Sequence, residues 1–346
     1  MRFFLGAYTS DREGAADGIG VLCAGSADDA LAGGELAFGG TAARAASPSW
    51  LAWHPTQDVV YAAQEAAGTV RAFARTGEES VAPLGAAVPV GSTVCHVATS
   101  PSGRSLVASC YGDGRVVAVP LAADGALIGS EVAVGDVADD AYADLGMSAR
   151  APHAHQARFV PGALVSTDLG ADSVRVWAAT GGALNQRQAV VLPRGSGPRH
   201  TVWHPSGHLY VVTEYSNEVF VLRPAASGAW SLVAGTQIIG TQEGVDFPAE
   251  IALSRDAAFV SVSIRGSNTI AVLRVGSVGS ALTTVALVES GVDWPRHHVI
   301  ERDTLLVAGQ RSNDITSLTI DERTGVPGRV RRRVEAPSPA MLLADR

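Results

Sequence analysis

The chain has 346 residues, 47% of them hydrophobic and only 17% charged, and its formal charge of −8 leaves no basic surface of the kind nucleic acids need. All 26 basic residues are arginine, so Schiff-base and lysine-base chemistry and any P-loop are excluded. Cys23, Cys95 and Cys110 lack the spacing of a disulfide framework or a zinc site, and no apolar run approaches the roughly 18–20 residues of a membrane span.

In chain order, the first apolar segment is Phe3-Phe4-Leu5-Gly6-Ala7-Tyr8, too short for a signal-peptide core and followed by no small-residue cleavage site. It has the character of a second strand, and Ile19-Gly20-Val21-Leu22 that of a third, with no first strand before them. Then a module begins: Ser49-Trp50-Leu51-Ala52-Trp53-His54-Pro55, a turn, Val59 to Glu65, a polar turn, and Thr69 to Phe73. It recurs from His96, around Arg158-Phe159-Val160-Pro161 and Val202-Trp203-His204-Pro205, then around Ala252-Leu253-Ser254 and Val299-Ile300-Glu301. Anchors at 54, 100, 160, 204, 254 and 301 are spaced by 46, 60, 44, 50 and 47 residues, the period of propeller blades. The long interval predicts an extra loop over 136–148. Near the end, Pro337 to Leu343 has the character of an isolated first strand, echoing Pro48-Ser49-Trp50-Leu51.

The expected fold is therefore all-β: one seven-bladed β-propeller over 1–346, closed by pairing of the N- and C-terminal strands. Its blades are expected near 48–75, 94–121, 153–179, 198–224, 248–275 and 295–321, the seventh being built from 1–40 plus 328–346. Closure removes the open sheet edges that invite aggregation.

Equivalent offsets in such a module project onto one level. Four residues before each anchor stand Trp50, His96, Gln156, His200, Glu250 and His297; five before stand Ser49, Cys95, His155, Arg199, Ala249 and Arg296. The far ends of the second strands carry Glu65, Tyr111, Leu169 beside Asp168, Glu214, Arg265 and Gln310. An antiparallel return brings the start of a first strand beside the end of its partner, so these groups are expected at one channel mouth.

The strings Pro152-His153-Ala154-His155, Gly195 to His200 with His204-Pro205, Ile264 to Asn268, and Pro295-Arg296-His297 resemble the seven-bladed propeller lactonases. That family includes the propeller type of 6-phosphogluconolactonase and a carboxymuconate cycloisomerase branch. The likeness runs from Gly6-Ala7-Tyr8-Thr9 to Pro337-Ser338-Pro339 and implies metal-independent chemistry on a lactone without a cofactor. By matching motifs it implies His155, Arg199, Glu214 and Arg265 as the catalytic group. The sequence departs from the pattern in shortened second-strand turns and in Gly309, where an asparagine is expected.

Opening a lactone needs a base for the attacking water and cationic donors where the oxyanion develops. His155 or Glu214 is the expected base, an enclosed carboxylate being raised toward neutrality, and Arg199 with Arg265 the expected oxyanion partners. Substrate binding is expected from Glu65, His96, Tyr111, His153, Asp168, His200, Arg296, His297 and Gln310. The expected partner is a small lactone or sugar-acid phosphate, with no nucleic acid or membrane, in a cytoplasmic monomer or weak homodimer. Cycloisomerisation is the alternative chemistry, and a non-catalytic interaction platform the alternative class. On bland readings, paired Glu and Arg form a structural ion network and His54 and His204 are turn residues. Cys95 and Cys110 are then buried thiols, the Gly112 and Gly266 segments hairpins, and Arg329 to Arg333 a solvated strand edge.

Overall fold

The computed structural model describes residues 1–25, 31, 33–180 and 183–346. Residues 26–30 and 32, part of the expected seventh blade, lie outside the described residues. The described chain forms seven four-stranded sheets and three short 3-10 turns. In chain order the sheets are blade I (48–89), II (94–134), III (154–191), IV (198–237), V (247–289) and VI (295–335). Blade VII places Pro339–Ala344 first, followed by Arg2–Ala7, Gly18–Ala24 and Leu36–Arg44. The C-terminal strand thus pairs beside the N-terminal one, as the unpaired first-strand and second-strand patterns predict.

The second strands are the reason the sequence reads as strand rather than helix. Val59–Gln64, Phe259–Arg265 and Thr304–Gly309 are short runs rich in β-branched and small residues, buried at every position because neighbours cover both faces. Burial fades outward: the fourth strand of blade VI, Pro327–Glu335, is exposed along most of its length. Its arginines keep a solvated edge from recruiting another chain. This strand corrects the expected boundary of the seventh blade. Residues 327–335 pair with Asp314–Ile320 and complete blade VI, so only the stretch from Pro339 belongs to blade VII.

The chain divides into two compact units. One comprises Met1–Leu5, Gly20–Gly40 and Arg199–Arg346; the other comprises Gly6–Ile19 and Thr41–Pro198. In the first, Phe3, Leu5 and Leu342 of blade VII pack on Leu306, Ala308 and Ile315 of blade VI. In the second, Tyr61, Val70 and Val88 of blade I pack with Val97, Leu106 and Val117 of blade II. Turn histidines stitch neighbouring blades inside each unit. His54 Nδ1 accepts the Thr56 and Gln57 amides, which leaves Nε2–H to donate to the Gly103 carbonyl at 3.0 Å. His204 accepts the Ser206 amide and reaches the Ala257 carbonyl at 3.0 Å in the same way.

Two devices set the positions of the candidate site residues. The residue after a second strand donates its amide to the residue before the first: Glu65 to Ser47, Tyr111 to Thr93, Leu169 to His153 and Gln310 to Trp294. First strands also carry a bulge, with register shifts at Pro48/Trp50, Val94/His96, Ala154/Ala157, Pro248/Ile251 and Pro295/His297. A bulge interrupts strict face alternation and re-aims adjacent side chains. It falls on the offsets singled out in the sequence.

Candidate active site

In the first unit the expected residues converge. Glu214, just beyond the second strand of blade IV, places one oxygen 3.0 Å from Arg199 Nε and 2.8 Å from Arg265 Nη2. Arg199 Nη1 donates to the Ala249 carbonyl at 2.6 Å, and Arg265 Nε to the Phe247 carbonyl at 2.9 Å. Both guanidiniums are therefore fixed by the bulged start of blade V and by a shared carboxylate. Arg296 reaches Gln310 Oε1 at 3.4 Å.

A second layer lies beside this pair. His200 Nδ1 is 2.7 Å from Glu250 Oε2, and His297 Nε2 is 3.5 Å from the same oxygen. His297 Nδ1 accepts the Leu342 amide at 3.3 Å, so its proton sits on Nε2 and points to Glu250. Glu250 thus ties the innermost strands of blades IV and VI to that of V, with Leu342 of blade VII attached through His297. Among the described residues no group of three or more His, Cys, Asp or Glu is placed to hold a metal ion.

The charges explain one departure from expectation. Burial pushes the Glu214 carboxyl up, but the Arg265 and Arg199 charges outweigh it and hold the group below the ordinary carboxylate range. The expected upward shift is thus reversed, and Glu214 is a poor proton acceptor that serves as counter-charge to two guanidiniums. Arg199 is pressed down by burial and then by Arg265, with Glu214 opposing, and remains a cation at neutral pH. Three arginines against Glu214 and Glu250 leave the cluster with excess positive charge, suited to an oxyanion or an anionic substrate.

Burial lowers His297 and His298 to about 4. Between that value and about 6.5 the unfolded chain binds protons that the folded chain refuses, so stability falls as pH drops through this window. The expected loss is about 1.4 kcal/mol per pH unit for each histidine. Thermal unfolding from pH 7 to 4.5 should show it, with a shallower slope in His298→Gln; equal slopes would refute the assignment.

The second unit holds the other expected residues. Tyr111 stacks on His153 with centroids 4.4 Å apart and meets His155 edge-on at 6.1 Å. His96 lies 4.4 Å from Trp50. His153 Nδ1 donates to the Tyr111 carbonyl at 2.7 Å, which makes Nε2 its acceptor nitrogen. His155 is buried, its carbonyl taking the Cys95 thiol at 3.2 Å. Two expected substrate contacts have internal partners. Glu65 accepts the Tyr8 hydroxyl at 2.9 Å and pairs with Arg12. Asp168 is fully buried and its Oδ1 accepts the His153 and Ala171 amides, a turn-holding role.

Tyr8, Arg12, Glu250 and Trp294 escaped the expected set. Glu250 stood at a repeat offset, and its signal was a carboxylate where other blades carry histidine. Tyr8 directly follows the second strand of blade VII and Trp294 directly precedes the first strand of blade VI, both at repeat positions, whereas Arg12 lies in a connection outside the repeat. Among the described residues no helix is long and apolar enough to cross a membrane.

Relatives match the chain over most of its length. The chain is 27% identical over 315 residues to the 6-phosphogluconolactonase of Bacillus subtilis, covering 87% of this chain and 88% of that protein. Among solved structures it resembles a protein of Lactobacillus plantarum, with a TM-score of 0.84, 23% identity and coverage of 99% and 98%. It likewise resembles the periplasmic gluconolactonase of Pseudomonas aeruginosa, with a TM-score of 0.83, 23% identity and coverage of 99% of each chain. The model of the lactonase family of seven-bladed β-propellers matches residues 2–344, and the chain belongs to that family.

Proposed function

We propose that this chain hydrolyses a sugar lactone, with 6-phosphogluconolactone as the leading substrate. The observation that carries the reading is the pair of fixed guanidiniums, Arg199 and Arg265, sharing one Glu214 oxygen. Family membership and the name of the Bacillus subtilis relative support it. Water attacks the lactone carbonyl, and the charge developing on oxygen meets cations already in place, so little reorganisation opposes the step. The ring oxygen then leaves with a proton and the hydroxy acid is released. The two arginines hold the Glu214 carboxyl below the ordinary range, so it is a weak base and proton transfer is assigned to an imidazole.

The test is proton release in a pH-stat with δ-gluconolactone, its 6-phosphate and a carboxymuconolactone, each corrected for spontaneous opening. Turnover of a sugar lactone, surviving chelator treatment, is expected. Turnover of the muconolactone alone, with an unsaturated acid and no added water in the product, would replace hydrolysis by cycloisomerisation, and turnover of none would sink the enzymatic reading.

A further inference from the structure

Trp294 occupies a backbone position that side chains of its size avoid. Directly before the first strand, five blades adopt the left-handed conformation: Ser47 at φ 32°, Thr93 at 52°, Gly197 at 65°, Trp294 at 62° and Ser338 at 40°. The other four are small or, in Thr93, modest in size; a bulky aromatic is the outlier, and such strain persists where surroundings hold it and a site uses it. The surroundings are explicit. The Trp294 amide donates to Asn268 Oδ1 at 2.9 Å, and its carbonyl accepts the Gln310 amide at 3.2 Å.

The indole carries two arginines. The guanidinium of Arg265, which pairs with Glu214, lies 5.3 Å from its ring centroid, and that of Arg311 lies 3.4 Å from it. Arg311 is exposed and makes no ion pair among the described residues. The nearby Asp293 carboxylate accepts from Asn268 Nδ2 at 2.9 Å. A guanidinium held by its flat face keeps its N–H edge for an oxyanion, and its rotamer is already chosen.

We propose that Arg311, mounted on Trp294, is a second anion subsite that takes the phosphate monoester of the substrate while Arg199 and Arg265 face the lactone carbonyl. This rests on the sugar-lactonase reading and gives it a residue that selects the phosphorylated substrate. Arg265 and Arg311 share one indole, so the two cationic points are held at a fixed spacing, and a ligand charged at one end only engages one of them.

The experiment is calorimetric titration of the full chain with the two hydrolysis products, 6-phosphogluconate and gluconate. The wild type should bind the phosphorylated acid about tenfold or more tightly, and Arg311→Ala should bring the ratio within about twofold. Arg255→Ala, which removes an exposed arginine at the opposite strand ends of blade V, should keep the wild-type ratio. A wild-type ratio near one, a ratio retained in Arg311→Ala, or an equal fall in Arg255→Ala overturns the assignment. Lactone turnover is read separately. Turnover without the ratio effect removes only the subsite, and a ratio effect without turnover removes only the lactonase reading.

Discussion

Arg199→Ala is expected to lower kcat/KM for the responsive lactone by about a hundred to a thousandfold, the range for removing one preorganised donor from a developing oxyanion. Arg199 is almost wholly buried, and two anchors fix its fork: Glu214 at 3.0 Å and the Ala249 carbonyl at 2.6 Å. Arg199→Lys keeps the charge but cannot span both anchors, so it should recover only a small part of the loss. The truncation also leaves a buried carbonyl without its donor and Glu214 with one cation fewer. A stability loss of about 1–3 kcal/mol should accompany it. Rates must therefore be compared well below the shifted transition. Wild-type kcat/KM in a folded Arg199→Ala protein would remove Arg199 from the reaction.

Much of this arrangement was legible because the inner strands obey one grammar. A turn anchor recurs at a period in the forties, and buried second strands such as Val59–Gln64 and Phe259–Arg265 carry charged residues only at their ends. Polar groups at those ends therefore stand out, which is how Glu214, Arg265 and Gln310 could be picked from sequence. The fourth strands were illegible. Ala183–Val191 and Pro327–Glu335 are largely solvent-facing, carry little apolar alternation, and are fixed by pairing with their neighbours. That is why residues 328–335 read from sequence as part of the seventh blade, whereas they pair within blade VI.

The site was legible in position and less so in electrostatics. Glu214 invited the expectation of a raised carboxyl because its offset marks an enclosed end. Its actual direction depends on two arginines from different blades converging on one oxygen, a distance no spacing encodes. Asp168 illustrates the converse: it stands one residue before the repeat position held by Leu169, and its carboxylate accepts the His153 and Ala171 amides. Trp294 and Arg311 lie in connections whose lengths vary between blades, and their relation appears only once the indole is seen beneath both guanidiniums.

Glu214→Gln separates a carboxylate that moves protons from one that holds cations. The amide keeps an acceptor oxygen for Arg199 and Arg265 but removes the charge that balances them. We expect a fall in kcat/KM of about ten to a hundredfold, with the ionisation on the acid side of the pH profile still present. Were Glu214 the base, the variant would lose turnover altogether and that ionisation with it. Stability gives an independent sign. The folded pKa of Glu214 lies below its unfolded value, so its contribution is complete above the unfolded value and is lost as pH falls through the folded one. The side chain is 17% exposed, which puts the deficit of Glu214→Gln at neutral pH at about 2–3 kcal/mol, under the figure for a fully buried pair. Thermal unfolding of both proteins from pH 7 to 3.5 should show the two curves converging at the acid end. Curves that stay parallel would mean that the carboxylate charge contributes nothing to holding the two arginines.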